Sequence, residues 1–163
     1  LNRFKPQNSH NEFFQHEKDN PQSISSNQLT TMMRDHNGEL WIGTLENGLN
    51  RFNPNKGEFI RLLHEPGNPN SLSNDQVWSL YQSSDKHIWI GTSNGLNRYN
   101  PQTETFQYFG EEHGISDAHI LGILEDQQGN LWLSKEKGIT RFNPRTNRFN
   151  NYNARNGLPT DQF

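Results

Sequence analysis

The chain has 163 residues, of which 29% are hydrophobic and 20% are charged, and its net charge is −3. The low hydrophobic content is typical of disorder, but disordered chains lack the large buriable side chains supplied here by 4 Trp, 4 Tyr and 10 Phe. With 15 basic against 18 acidic residues and no cysteine, the composition excludes a bulk electrostatic surface for nucleic acid or an anionic membrane, and also excludes disulfides and thiolate metal sites.

Read from the N terminus, the chain repeats two short motifs in a fixed order. The first motif is Leu1-Asn-Arg-Phe-Lys-Pro6, and its later copies are Gly48-Leu-Asn-Arg-Phe-Asn-Pro54, Gly95-Leu-Asn-Arg-Tyr-Asn-Pro101 and Gly138-Ile-Thr-Arg-Phe-Asn-Pro144. The second motif precedes each later copy and occurs as Glu39-Leu-Trp-Ile-Gly-Thr44, His87-Ile-Trp-Ile-Gly-Thr92 and Asn130-Leu-Trp-Leu-Ser134. Two further ladders of single residues keep the same spacing: Phe59, Phe106 and Phe149, and Leu29, Val77, Ile120 and Phe163. Four ladders in one order indicate a structural repeat.

Each repeat contains four short apolar runs separated by turn residues, which predicts four strands joined by hairpins. In the best-defined unit the strands are expected at 76–82, 87–92, 95–99 and 105–109. The turn between the second and third strands carries Asn47-Gly48, Asn94-Gly95 or Lys137-Gly138. Asn-Gly predicts a hairpin in which both central residues have positive φ. No run shows a sustained helical period, so little helix is expected.

Four-stranded units spaced 43 to 48 residues apart predict an all-β fold, a β-propeller made of four-stranded antiparallel blades. The predicted bounds are a partial blade at 1–20, complete blades at 24–66, 72–110 and 115–153, and the start of another blade at 158–163. The ring is therefore incomplete, and its open flank invites association with other blades of the same full-length chain or with another copy. A homodimer would supply about seven blades in a ring of ordinary size, but each shared blade would lack its second strand. We therefore expect further repeats on both sides of this segment in the natural gene.

The recurring tryptophans and arginines have a structural interpretation. Because side chains alternate along a strand, Trp41, Trp89 and Trp132 are expected to point the same way in every blade and to be buried between blades. The arginines of the first motif are interpreted as blade-packing or turn-bonding residues: Arg3, Arg51, Arg98 and Arg141. The alternatives are ligand stacking for the tryptophans and an anion-binding ring for the arginines.

One unit reads Leu72-Ser-Asn-Asp-Gln-Val77, an acidic turn, Ile88-Trp-Ile-Gly-Thr92, Gly95-Leu-Asn-Arg-Tyr-Asn-Pro101 and Phe106-Gln-Tyr108. In this form it resembles the two-component regulator propeller repeat, and the resemblance extends over nearly the whole chain. Two departures are Ser134 in the place of Gly91 and His87 in the place of a turn glycine. The resemblance implies the periplasmic sensor region of a bacterial membrane-bound receptor, with a histidine kinase or a diguanylate cyclase as its output domain.

Propeller geometry indicates where a ligand would bind. The connectors between blades and the loops between second and third strands share one face, around the mouth of the central channel. On this chain that face collects amides, carboxylates, an imidazole and an indole, which suit a small polyhydroxylated ligand such as an oligosaccharide. The candidate ligand-binding residues are Trp78, His119, Asp117, Asp75, Asn74, Gln76, Asn27 and Gln28. The same side chains could instead cap turns, and Trp78 and His119 are the strongest candidates because their positions differ between units.

The sequence contains no convincing catalytic or metal-binding motif. Gly91-Thr-Ser93-Asn-Gly95 matches the G-x-S-x-G nucleophile elbow, but it spans a hairpin rather than the strand-to-helix turn that this motif needs. The acidic turns at Asp35, Asp85 and Asp126 lack the ligand spacing of a calcium loop, and the histidines show no metal-ligand pattern. We therefore expect no metal and no cofactor.

The sequence favours a non-catalytic propeller that senses a ligand or contacts a partner protein. Signalling would proceed by a rigid-body shift in how the propeller packs against its neighbours, because a closed ring resists internal rearrangement. The alternative is a propeller enzyme, such as a lyase acting on a glycan or a lactone, with an acid–base pair on the same face.

Overall fold

The computed structural model describes residues 1–5 and 10–159, and β-strands are the main regular structure of this part of the chain. One sheet has two strands, β1 (Asn2–Lys5) and β2 (His10–Phe13). Three four-stranded sheets follow, with these strands: β3 (Leu29–Arg34), β4 (Leu40–Thr44), β5 (Leu49–Asn53), β6 (Glu58–Leu62), β7 (Val77–Gln82), β8 (Ile88–Thr92), β9 (Gly95–Asn100), β10 (Thr105–Phe109), β11 (Ile120–Glu125), β12 (Leu131–Lys135), β13 (Ile139–Asn143) and β14 (Arg148–Tyr152). The helical segments among the described residues are two 3-10 turns, Glu111–His113 and Ala154–Asn156, and neither has the length needed to cross a membrane.

Each four-stranded sheet is an antiparallel meander in which chain order equals strand order. The first strands β3, β7 and β11 lie beside one another in neighbouring sheets, so they form the inner wall of a propeller. We number the parts blade 1 (β1 and β2, partial), blade 2 (β3 to β6), blade 3 (β7 to β10) and blade 4 (β11 to β14). The all-β propeller with an open ring is confirmed, and β7 to β10 agree with their predicted bounds within one residue. The predicted start of another blade at 158–163 falls mostly outside the described residues.

The tryptophans of the second strands occupy equivalent positions but differ in burial. Trp41 and Trp89 are 0% and 1% exposed, whereas Trp132 is 36% exposed, which corrects the prediction that all three are buried. The physical reason is the open ring. Trp41 packs on Tyr99 of blade 3 and Trp89 packs on Phe142 of blade 4, with ring centroids 5.4 and 5.7 Å apart. The described residues provide no following blade against Trp132.

Each of these indoles is also held by the first turn of its own blade. The indole N–H donates to the residue six positions earlier, over 3.0 Å to Asp35, 2.9 Å to Ser83 and 3.0 Å to Asp126. Desolvation would raise the pKa of Asp126, but hydrogen bonds from Asn130 and Trp132 outweigh it and lower this pKa to about 2. The first turn of each blade therefore positions its tryptophan, through an aspartate in blades 2 and 4 and through a serine in blade 3.

The glycine of the tryptophan motif is required by close packing between blades. An ideal Cβ on Gly43 would lie 2.7 Å from Cγ1 of Val77, and one on Gly91 would lie 2.6 Å from the carbonyl oxygen of Ile120. Val77 and Ile120 begin the first strands of the following blades. The inner strands of blades 3 and 4 therefore each pack on the glycine of the blade before them.

Blade 4 has Ser134 at this position, and the paired strand compensates for the change. The opposite residue is Thr31 for Gly43 and Ser79 for Gly91, but it is Gly122 for Ser134. Each pair thus keeps one glycine and one hydroxyl side chain, so the exchange leaves the volume of the pair nearly unchanged.

The recurring arginines connect neighbouring blades at two places. Arg3 of blade 1 donates to the carbonyl oxygen of Pro54 in blade 2 over 3.1 Å. Arg51 of blade 2 forms an ion pair with Glu104 of blade 3 at 3.2 Å. Both contacts reach the turn between the third and fourth strands of the following blade, while the arginines of blades 3 and 4 contact side chains of their own blades.

The turns between second and third strands correct one expectation. Positive φ occurs at Gly48, Gly95 and Gly138, at 68°, 95° and 81°, but not at the residue before each glycine. In blade 3, Gly95 already pairs with Thr92, so the glycine follows the turn rather than forming its centre. A type I turn followed by one left-handed residue has this geometry.

The turn between the first and second strands contains one residue with positive φ in each complete blade. This residue is Gly38 in blade 2 and Gly129 in blade 4, but it is Lys86 in blade 3, with φ of 71°. The turn-glycine position was therefore assigned to the wrong residue, since Lys86 rather than His87 occupies it. A side chain in this conformation crowds the neighbouring carbonyl oxygen, which destabilises the turn.

Lys86→Gly is expected to raise the free energy of unfolding by about 1 kcal/mol, because glycine adopts positive φ without steric cost. Denaturant unfolding of the two proteins measures the difference. Lys86→Ala is the matched control, since it removes the ammonium but keeps Cβ, and it should change stability by less than about 0.5 kcal/mol. If Lys86→Gly were no more stable than Lys86→Ala, the positive φ at this position would not be strained.

Candidate functional site

The connectors and the loops between second and third strands share one side of the propeller, which we call the connector face. At the junction of blades 3 and 4 this face carries Trp78, the second residue of β7, and His119, which directly precedes β11. Their ring centroids are 5.3 Å apart. The indole N–H of Trp78 donates to Oγ of Ser93 over 2.7 Å, and Nδ1 of His119 lies 3.1 Å from Oε1 of Glu136. The two strongest sequence candidates are therefore neighbours.

Both positions vary between blades while the scaffold around them repeats. The equivalent residues are Thr30 and Leu121 for Trp78, and Gln28 and Gln76 for His119. The candidates Gln28 and Gln76 are held through their backbones, since their carbonyl oxygens accept N–H groups from Leu45 and Ser93. Each directly precedes the first strand of its blade, as His119 does in blade 4.

Two further candidates cap turns at the channel mouth. Oδ1 of Asn74 accepts the N–H of Gln76 over 2.8 Å, and Oδ1 of Asp117 accepts the N–H of His119 over 3.2 Å. The second oxygen of Asp117 accepts the N–H of Lys137 over 3.2 Å. These polar atoms shape the entry to the inner strands, which is the alternative role that the sequence left open.

The candidates Asp75 and Asn27 hold the connectors in place. Oδ1 of Asp75 accepts the backbone N–H of His64 over 2.8 Å, and Oδ1 of Asn27 accepts that of His16 over 2.9 Å. Equivalent residues of two blades therefore form the same bond, which indicates a role in the scaffold.

These bonds belong to a connector motif that the sequence analysis missed. Residues 16–25 and 64–73 share the pattern His-Glu-x-x-Asn-Pro-x-Ser-(Ile/Leu)-Ser. In both copies the glutamate N–H donates to a serine Oγ, over 2.9 Å to Ser23 and 3.0 Å to Ser71. The asparagine side chain then donates to the glutamate carboxylate. A search for repeated polar residues would have found this motif, whereas ladders of apolar residues do not.

Lys135 is a buried cation that the sequence analysis also missed. It is 0% exposed and takes the position that threonine holds in blades 2 and 3. Its Nζ donates to Oγ of Ser116 over 2.7 Å and to Oδ1 of Asn151 over 3.5 Å. Burial lowers the pKa of Lys135, and the nearby carboxylate of Asp117 opposes this shift. The ammonium of Lys135 and the carboxylate of Asp117, which caps the turn before β11, therefore attract each other.

Two open cavities lie on the connector face of blade 3. One, of about 340 Å³, is bordered by Asp117 and His119, and the other, of about 320 Å³, is bordered by the connector 64–73. Both are lined by Asn94 and Tyr108. The two cavities therefore adjoin at these residues, and we refer to them together as the groove of blade 3.

The two ring nitrogens of His119 have different environments. Its Nδ1 faces Glu136, and its Nε2 is buried without a hydrogen-bond partner in the described part of the chain. Among residues 1–5 and 10–159, no group of three His, Asp or Glu side chains is placed to hold a metal ion.

Comparison with known proteins identifies the repeats. Residues 23–46, 71–94 and 114–134 match the family model described as "Two component regulator propeller". Each segment contains the end of a connector and the first two strands or most of them. No curated protein matches the chain.

Two solved structures from B. thetaiotaomicron are similar to this chain. The extracellular domain of a hybrid two-component system is 26% identical over 95% of this chain and 20% of its own, with a TM-score of 0.79. The extracellular domain of a one-component system is 21% identical over 93% of this chain and 22% of its own, with a TM-score of 0.75. The chain therefore spans about a fifth of the length of these domains.

A virginiamycin B lyase from Staphylococcus aureus is also similar, at 19% identity over 82% of this chain and 42% of its own, with a TM-score of 0.62. At this identity the likeness shows a shared propeller fold alone.

Proposed function

Because three of its segments are two-component regulator propeller repeats, we propose that this chain is a non-catalytic part of the sensor region of a bacterial membrane-bound receptor. The similar extracellular domains from signalling systems support a location outside the cytoplasm, which we take to be the periplasm. The output domain would be a histidine kinase or a diguanylate cyclase.

The observation that carries the proposal is the pair of Trp78 and His119 beside the groove of blade 3. Neither residue follows the repeat, although the turns and strands around both of them do. Scaffold residues recur because every blade needs them, so a departure at the channel mouth favours recognition of a ligand.

The ligand we propose is an oligosaccharide. An indole packs well on the C–H faces of a sugar ring, while amides and carboxylates exchange hydrogen bonds with its hydroxyl groups. The groove is lined by Tyr108 and Asn94 and, near one end, by His119, whose ring contacts Trp78. Two adjoining cavities have room for an oligosaccharide, whereas a monosaccharide would fill only one of them.

Binding would act on the junction of blades 3 and 4. Trp78 belongs to blade 3, and His119 is attached to the first strand of blade 4. A ligand that contacts both rings stabilises one packing of the two blades, and this bias can pass to neighbouring domains as a rigid-body shift.

Trp78→Leu and His119→Gln are expected to weaken oligosaccharide binding at least about tenfold each, since anchoring side chains carry most of a binding energy. Leucine and glutamine occupy the equivalent positions in other blades, so both variants should keep the wild-type unfolding midpoint. Isothermal titration calorimetry with a panel of neutral oligosaccharides gives the dissociation constants.

The matched control is His36→Ala, which removes an exposed imidazole at the opposite end of the propeller, where it contacts Gln82. Its affinity for the same oligosaccharide should equal that of the wild type. If all three variants lost affinity equally, the oligosaccharide would not bind specifically at the connector face.

The lyase alternative rests on the pair of His119 and Glu136, which has the composition of an acid–base couple. The same oligosaccharides and a lactone are to be incubated with the wild type and with His119→Gln. If the wild type turned over one of these compounds and His119→Gln did not, the chain would be an enzyme and the proposal of a non-catalytic sensor would be wrong.

A further inference from the structure

A cavity separate from the groove lies at the end of the propeller opposite the connector face, between blades 2 and 3. It has a volume of about 270 Å³ and is bordered by the first turns of both blades and by the last turn of blade 3. Its lining includes His36 from blade 2, and Lys86 and Asn100 from blade 3. Because the structure describes all four strands of both blades, both walls of the cavity belong to the described chain.

Lys86 borders this cavity in a conformation that the other complete blades give to glycine. Its φ is 71°, whereas the equivalent residues are Gly38 and Gly129. A side chain in this conformation is strained, and strained residues persist mainly where they serve a site. The turn itself would be more stable with glycine, which indicates that the lysine side chain has a role outside the turn.

The imidazole of His36 brings a hydrogen-bond donor to the same cavity. The backbone N–H of His36 donates to Oε1 of Gln82 over 2.8 Å, so the other end of this amide is its NH₂ group. That group lies 2.9 Å from Nδ1 of His36 and 3.3 Å from the carbonyl oxygen of Lys86. Because Nδ1 accepts this hydrogen bond, the neutral ring carries its proton on Nε2. Gln82 therefore fixes the tautomer of His36 and leaves Nε2–H as its donor.

The ammonium of Lys86 is not neutralised by the carboxylate beside it. Among residues 1–5 and 10–159, Nζ of Lys86 has no hydrogen-bond or ion-pair partner. The carboxylate of Asp85 accepts the hydroxyl of Ser83, and its second oxygen lies 3.1 Å from Nδ1 of His87. Burial would raise the pKa of Asp85, but these contacts with Ser83 and His87 outweigh burial and lower it. Asp85 is therefore engaged within its own turn, and the lysine keeps its charge for another partner.

We propose that this cavity binds a small anion, through a carboxylate or phosphate group held between Nζ of Lys86 and Nε2–H of His36. Lysine binds such groups as a point charge, and hydrogen bonds with an ionised partner are about twice as strong as neutral ones. The amides of Asn100 and Gln102 also border the cavity and supply polar groups for the rest of the ligand. The volume is below that of cavities for drug-sized molecules, so the ligand is small.

An anion in this position would bridge blades 2 and 3 at the end where Gln82 already joins them. The site lies away from Trp78 and His119, so it is independent of the oligosaccharide proposal. It also explains why blade 3 keeps a lysine where glycine would stabilise the turn, since the binding energy depends on the ammonium.

Isothermal titration calorimetry of the 163-residue chain tests the site with inorganic phosphate, glucuronate and glucose. Glucuronate and glucose are a matched pair, because only glucuronate has a carboxylate in the place of the hydroxymethyl group. The titrations are made in about 0.15 M salt, which screens non-specific attraction between charges. We expect saturable binding of at least one anion, and the tighter of the two shows whether the site prefers phosphate or carboxylate.

Lys86→Gly is expected to weaken anion binding at least about tenfold, because it removes a charged partner of the ligand. The same variant is expected to be more stable than the wild type, so unfolding would not explain the loss. Lys86→Arg keeps a cation at this position and should bind more tightly than Lys86→Gly. His36→Ala should weaken binding about two- to tenfold, since it removes one neutral donor.

Two variants serve as controls. Lys56→Ala removes an exposed lysine from a turn of blade 2 at the same end of the propeller, and this lysine does not border the cavity. Trp78→Leu alters the connector face alone. Both should bind phosphate and glucuronate as the wild type does, and Lys86→Gly should leave the heat measured with glucose unchanged.

Three results would overturn the proposal. The first is the absence of saturable binding of either anion up to about 10 mM, which would mean that the cavity has no useful affinity. The second is an equal loss in Lys56→Ala and Lys86→Gly, which would assign the binding to the general charge of this end. The third is wild-type affinity in Lys86→Gly, which would place the anion elsewhere on the chain.

Discussion

Trp89→Ala is expected to lower the free energy of unfolding by about 3 to 5 kcal/mol, as large core truncations do. The indole is 1% exposed, packs on Phe142 of the next blade, and donates a hydrogen bond to Ser83. Its removal leaves a cavity between two sheets and a serine without its donor. Both losses weaken the packing of blade 3 against blade 4.

The equivalent substitution Trp132→Ala is expected to cost less than about 2 kcal/mol, since its side chain is already partly exposed and packs against no following blade among the described residues. Denaturant unfolding of both variants gives the comparison. Equal costs at the two positions would mean that burial between blades contributes little, and the packing argument would fail.

Gly91→Ala is expected to lower the free energy of unfolding by about 3 kcal/mol, at the upper end of the usual cost of overpacking. The new Cβ would lie 2.2 Å from Oγ of Ser79 and 2.6 Å from the backbone oxygen of Ile120. The serine can rotate away, but the backbone of Ile120 is fixed in β11, so the two blades must separate.

The matched control for this prediction is Gly57→Ala. Gly57 has φ of 72°, and an added Cβ would meet no atom within 4 Å, so this variant pays only the left-handed strain of about 1 kcal/mol. Thermal and denaturant unfolding of both variants measure the difference. A Gly57 variant as unstable as the Gly91 variant would assign the effect to backbone freedom rather than to contact between blades.

The strands were predictable because their signals are local. Alternating apolar residues and Asn-Gly turns lie within a few positions of one another, and the fourfold repetition fixed which strand of the blade each run forms. The exposure of Trp132 was not predictable in this way. The burial of each tryptophan depends on the following blade, which lies outside the tryptophan motif. Because the motif occurs three times, it predicts the same environment for all three tryptophans.

The site was only partly predictable. Polar residues at the channel mouth were found, but the sequence did not separate side chains that cap turns, such as Asn74 and Asp75, from Trp78 and His119. The distinction needs the hydrogen bonds of the folded chain. Lys135 was missed because a lysine in a strand is normally exposed, and its burial depends on Ser116 and Asn151 far away in the chain.

The order of the blades has a consequence for communication across the molecule. The main contacts between sheets join blade 2 to blade 3 and blade 3 to blade 4, through β3, β7 and β11. Among the described residues, blade 3 therefore connects blade 2 with blade 4. In such a linear array of nearest-neighbour contacts, cooperativity between distant blades is limited by the weaker of the two intervening junctions.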